Sequence, residues 1–185
     1  LNEGSNISIE KKDGISWINA SAEDTQRPSE SADWLTMASS FHWTNFEKAT
    51  EEFHRVLKKD GIFTAIWNPR FINSNPILVD IENFLKDLMP DMKRVSSSSS
   101  GITATLMEKL NESKLFDNVF YLESTHVEKI TPERYLGLWK SVNDIQVQLG
   151  EYKFNEFLNF IIKSTQNLEY IDAEYKTRSW SCKKV

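Results

Sequence analysis

The chain has 185 residues, 39% hydrophobic and 26% charged, enough apolar mass for one domain with a buried core. Its 27 acidic and 22 basic side chains leave a net charge of -5 with no Lys/Arg stripe, which disfavours a nucleic-acid partner. The single cysteine, Cys182, excludes a disulfide framework and a Cys-rich zinc site and suits a cytoplasmic location. No apolar run nears the ~20 residues that span a bilayer, so no membrane partner is expected.

Leu1 to Lys12 are polar and without a clear period, and Ile15–Ala20, after the turn pair Asp13-Gly14, reads as a short strand. A polar loop containing Pro28 leads to Asp33–Ala38, mostly apolar, as a buried strand of a parallel sheet would be. Thr44-Asn45-Phe46-Glu47 has the form of a capping box with Thr44 as N-cap. The helix it opens sets Phe46, Ala49, Phe53, Val56 and Leu57 on one face and is expected to end at Lys58-Lys59-Asp60-Gly61, with Gly61 left-handed. Ile62–Trp67 is a second apolar strand, so the three elements form a right-handed βαβ unit.

Asn75-Pro76 opens a further helix through Ile77, Leu78, Ile81, Phe84, Leu85 and Leu88. After the Ser96–Ser100 run, expected to be a loop, Thr105 and Glu108 suggest a second capping box before a helix through Leu106, Met107 and Leu110. Val119–Lys129 is strand-like, Thr131-Pro132 starts a helix, and Phe154 to Ile162 mark an amphipathic helix. In the last strand the apolar phase runs Ile171, Ala173, Tyr175, then slips to Trp180 and Cys182, which reads as a β-bulge near Arg178. Helices alternating with strands in this way describe a three-layer α/β sandwich closed by an antiparallel strand pair.

Ser39-Ser40-Phe41-His42-Trp43, with Glu52-Phe53-His54-Arg55-Val56-Leu57-Lys58-Lys59-Asp60-Gly61 behind it, resembles the class I S-adenosylmethionine-dependent methyltransferases of the ubiquinone/menaquinone-biosynthesis-like group. These typically carry an FHW-like stretch after the fourth strand and an E-x-x-R-V-L-K-x-G-G-like segment before the fifth. Asp60 stands in place of their first Gly. Ala20–Asp24 and Ser31–Asp33 look like the loop after the third strand and the entry to the fourth. The resemblance implies a Rossmann-like, mostly parallel sheet and methyl transfer from S-adenosylmethionine to a small molecule, with a carboxylic acid suggested by relatives that share the His-Trp stretch. None of the 6 glycines is spaced G-x-G, so the family's Gly-rich cofactor loop and its first strands are expected to be absent. The 185 residues then read as the carboxyl-terminal portion of one domain, with a helical substrate cap around 75–113 and 131–150.

Carried onto this sequence, the resemblance puts Ser21, Ala22, Glu23 and Asp24 at the adenine ring, where a solvated turn is the plainer alternative. Ala38, Ser39 and Ser40, at a strand's carboxyl end, would offer carbonyls to the cofactor's ammonium. His42 is the candidate to orient or deprotonate the acceptor, against a merely packed histidine. Neither it nor His54 or His126 has metal-like spacing. Trp43, Trp67, Asn68 and Arg70 should face the acceptor, Arg70 as a carboxylate anchor, and Tyr135 and Trp139 would roof the pocket unless they are core. The competing class is a non-catalytic binding protein or truncated pseudoenzyme of the same fold, and a bare strand edge leaves a homodimer open.

Overall fold

A computed structural model describes residues 2–93 and 102–185; the Ser96–Ser100 run lies outside them. The helices are α1 (Asn2–Lys11), α2 (Phe46–Val56), α3 (Pro76–Leu88), α4 (Ile102–Glu112), α5 (Pro132–Lys140) and α6 (Asn143–Thr165). The strands are β1 (Ala32–Ala38), β2 (Leu57–Trp67), β3 (Phe116–Ile130) and β4 (Ile171–Lys184). They form one mixed sheet in the order β1-β2-β4-β3. β1 and β2 are parallel, with Leu35 beside Phe63 and Met37 beside Ala65, while β4 runs antiparallel to both β2 and β3. The expected βαβ crossover and antiparallel closing pair are both present. No helix among the described residues is long and apolar enough to cross a membrane.

Two cores hold the sheet. In the first, Phe53 of α2 and Leu106 and Leu110 of α4 press on Phe63, Ala65 and Trp67 of β2 and on Trp180 and Cys182 of β4. In the second, α3, α5 and α6 pack Leu78, Ile81, Trp139, Phe157 and Ile161 against Ile130, Ile171 and Ala173. Side chains alternate across a strand, so residues 173 and 180, an odd number apart, lie on opposite faces of β4. The register of β4 against β3 is unbroken from Ile171 to Ser181. The apolar slip is therefore a change of covered face and not a bulge at Arg178. The register shift that does occur lies in β3 between Asp117 and Phe120, where Asn118 takes a φ of 50°.

Other local expectations are corrected by hydrogen bonding. Ile15–Ala20 forms no strand: its backbone joins no ladder, and the Trp17 indole donates to Ser8 Oγ instead. Residues 2–11, which lack any apolar period, are helical. Thr44 does not cap α2, because its hydroxyl donates to the Phe41 carbonyl and closes the preceding 3-10 turn. Asn45 caps instead, accepting the Lys48 N–H at 3.0 Å. The left-handed residue at the end of this unit is Asp60, with a φ of 64°. Gly61 is needed for a different reason: a Cβ there would sit 2.9 Å from the Lys58 carbonyl oxygen. The α2 helix ends earlier than expected, at Val56, and Leu57 to Asp60 already belong to β2. The region expected to form a helical cap divides between the cores, α3 joining the second and α4 the first.

The sheet face opposite α2 and α4 carries exposed Trp34, Ile62, Phe120 and Leu122. Between them the buried Thr64 and Ser181 hydroxyls share a 2.9 Å hydrogen bond. The Trp34 indole donates to the same Thr64 oxygen.

Candidate functional site

Because β1 and β2 are parallel, their carboxyl ends open on the same side of the sheet, the usual place for a ligand in an α/β fold. At the end of β1, Ser39 turns left-handed, with a φ of 49°, while its N–H still donates to the Ile66 carbonyl at 2.7 Å. The chain then makes one 3-10 turn, Phe41–Trp43. Phe41 anchors this turn, fully buried among the rings of Phe46, Phe53 and Phe63. Anchoring Phe41 fixes its neighbours, leaving Trp43 exposed and His42 half-buried beside it, ring centroids 4.7 Å apart.

His42 meets the end of β2 directly. Its Nδ1 accepts a long, 3.4 Å hydrogen bond from the Trp67 indole N–H. Trp67 is 1% exposed and stands edge-on to Trp180. Leaving such an indole without an acceptor would cost about 1–3 kcal/mol. Burial alone shifts the His42 imidazole below its ordinary value, so the neutral ring is favoured near neutral pH.

The loop at 20–25 is tied to α2 and thereby to the same side. Ser21 Oγ accepts the Asp24 N–H at 3.1 Å, and Glu23 accepts the Asn45 N–H at 2.8 Å. The bond from Asn45 is the main reason the Glu23 carboxyl lies below its ordinary value. A carboxylate at the positive end of a helix is favourable in any case. Thr25 gives both its N–H and its hydroxyl to Glu52 Oε1, at 2.9 and 2.6 Å. Arg55 grips Glu52 with two N–H groups and reaches the Arg27 carbonyl and Ser29. Chiefly through Arg55, the Glu52 carboxyl is brought down to about 2.

The Glu52-x-x-Arg55 part of the motif is thus a clamp that straps residues 25–29 along α2. Sequence reasoning used these two residues as a family signature and missed their work; an acid and a base three apart on a helix was the available signal.

An open groove of about 1160 Å³ runs between residues 15–27 and β1. Its walls include Trp17, Ser21 and Ala22 on one side and Leu35, Met37, Ala38 and Phe53 on the other. Of the residues expected to hold a cofactor, Ser21, Ala22 and Ala38 line this groove. Glu23, Asp24, Ser39 and Ser40, also expected there, are not among the residues that line it. His42, Trp43 and Trp67 gather at the neighbouring strand end. Asn68 accepts the Thr177 hydroxyl at 3.0 Å.

Arg70, also at this end, spreads its guanidinium over Tyr135 and Trp139, 5.6 and 5.3 Å from the ring centroids. Those two rings are not in the groove wall: Tyr135 is 1% and Trp139 0% exposed, both in the second core. Burial raises the Tyr135 phenol above its ordinary value.

Comparison with known proteins agrees with this geometry. A family model described as a methyltransferase domain matches residues 4–65. An uncharacterised methyltransferase of Schizosaccharomyces pombe is 29% identical over 167 residues, covering 84% of this chain and 61% of the relative. The chain therefore spans about three-fifths of the length of the curated relative it matches. A structure described as a type II methyltransferase from Anaeromyxobacter dehalogenans superposes with a TM-score of 0.64 at 18% identity, over 91% of this chain and 72% of that one. The YcgJ protein of Bacillus subtilis gives 0.50 at 19% identity, over 100% and 77%. The chain is thus similar to methyltransferases in sequence over residues 4–65 and shares the fold of these structures over nearly its whole length.

Proposed function

We propose that the groove is the site of methyl transfer from S-adenosylmethionine to a small-molecule acceptor, a carboxylic acid in the first instance. The observation that carries this is the convergence of three segments on one side of the sheet: the 20–25 loop, the end of β1 and the end of β2. The lining of the groove suits a flat ring. Its lining is mainly apolar side chains and hydroxyls, with Arg27 its one charged side chain. Ser21, Ala22, Glu23 and Asp24 would meet the adenine, and the carbonyls of Ala38, Ser39 and Ser40 the ammonium.

When bound, the cofactor supplies a methyl group already made electrophilic by its sulfonium. The protein's task is then alignment and exclusion of water. Trp43 gives apolar surface beside the acceptor, His42 and Asn68 hydrogen-bonding groups, and Arg70 a positive charge, with the buried Trp67 behind His42. Tyr135 and Trp139 act behind Arg70, holding it from the core side. No nucleic acid, membrane or metal is part of this reading. Calorimetric titration of the chain with S-adenosylmethionine tests it: micromolar binding is expected, and the absence of binding would overturn it.

A further inference from the structure

We infer that Trp67 is a positioning residue that fixes His42 as a hydrogen-bond donor through Nε2, serving an acceptor oxygen that is already ionised, a carboxylate. This rests on the methyl-transfer reading for its consequence but not for its geometry. The Trp67 indole has a single N–H and no lone pair to offer. It is almost wholly buried and directed at His42 Nδ1. A proton on Nδ1 would set two donors face to face and strip the indole of its acceptor. The neutral ring must therefore carry its proton on Nε2. Among the described residues no hydrogen bond occupies that nitrogen, and the ring is only half-buried, so this edge is the one left to meet a ligand.

The consequence bears on the chemistry. A histidine held as the Nε2–H tautomer presents a donor to the acceptor and no lone pair with which to remove a proton. It is poorly arranged to activate a hydroxyl. It is well arranged to orient a carboxylate, which needs no base: an oxygen–carbon bond forms, the carbon–sulfur bond breaks with its electron pair going to sulfur, and no proton moves. Arg70, three residues past the end of β2, carries a positive charge, with its guanidinium turned over Tyr135 and Trp139 of the second core. Its guanidinium is kept in place by the two aromatic rings beneath it.

The test is nitrogen NMR of the histidine rings in the chain without cofactor, with His42 assigned from His42→Asn. His42 Nε2 should resonate as a protonated nitrogen and Nδ1 as a bare one. In Trp67→Phe both tautomers should become populated. Should that variant fail to fold, the Trp67 indole N–H resonance replaces it. It should stay in place in His42→Asn, whose side-chain oxygen can stand in for Nδ1, and move in His42→Ala. A wild-type Nδ1–H tautomer, or an indole resonance indifferent to His42→Ala, would overturn the positioning role. For the acceptor class, succinate should move the His42 Nε2 signal and succinamide should leave it unmoved; equal or absent responses would overturn the carboxylate assignment. None of these readouts involves S-adenosylmethionine, so a failed cofactor titration and a failed tautomer test are separate results.

Discussion

The two cores lie on opposite faces of the shared strand β4 and differ in how they use their aromatic residues. In the first, Phe41, Phe53 and Phe63 interlock, and their burial anchors the turn that sets His42 and Trp43 at the sheet's edge. In the second, Tyr135, Trp139 and Phe157 interlock and reach the site only through the guanidinium of Arg70. One aromatic cluster therefore positions candidate site residues directly, while the other covers the opposite face of β4. Similar residues at similar helical spacing do different work according to which face of β4 they cover.

Mutation separates the two. Trp139→Ala and Phe53→Ala should each lose about 3–5 kcal/mol in a urea melt, the usual range for emptying a buried aromatic site. Only Phe53→Ala, which lines the groove, should also weaken cofactor affinity per folded molecule. If Trp139→Ala lost less than about 1 kcal/mol, its place in the core would be wrong and a pocket-roof role would return.

The clamp between the cofactor-side loop and α2 should give a smaller, pH-dependent effect. The folded Glu52 carboxyl sits at about 2, below its reference of 4.5. A lowered carboxyl contributes its full stability above pH 4.5 and loses it as pH falls toward 2. Because Arg55 is 40% exposed, the contribution is discounted to about 1–2 kcal/mol. Glu52→Gln should be less stable by that amount at pH 7 and should show a flatter stability profile between pH 5 and 2. An unchanged profile would mean that the clamp is not formed.

Asn45→Ala should cost about 1 kcal/mol, as loss of an N-cap does, whereas Thr44→Ala should leave α2 capped and only loosen the 3-10 turn. Equal losses would return Thr44 to the capping role. The smallest signal is a silence. Burial pushes the Cys182 thiol up to about 12, so iodoacetamide at pH 8 should not label the native chain and should label it fully in denaturant. Native labelling would mean that the first core opens locally.

Legibility in the sequence followed the same division. The βαβ unit was readable because its cues are local: an apolar strand, helical spacing from Phe46 to Val56, and charged residues with a glycine at the exit. Asn75-Pro76 and Thr131-Pro132 marked two helix starts for the same reason. What failed depended on partners that are distant in sequence. Ile15–Ala20 has strand composition but no neighbour to bond with, and a strand without a ladder is only an extended loop. The slip in β4 was visible, yet its cause was a second layer of helices on the other face. The choice between Thr44 and Asn45 turned on the Phe41 carbonyl, three residues back. At the site, position at a strand end was legible, while the bond from Trp67 to His42 joined residues 25 apart and left no sequence mark.

The most direct test of the shared groove is a map of backbone amide shifts on titrating the chain with S-adenosylhomocysteine. Changes are predicted along residues 15–25, 36–43 and 67–70, with α3, α5 and α6 quiet. Shifts centred on the second core, or none anywhere at saturating ligand, would contradict it.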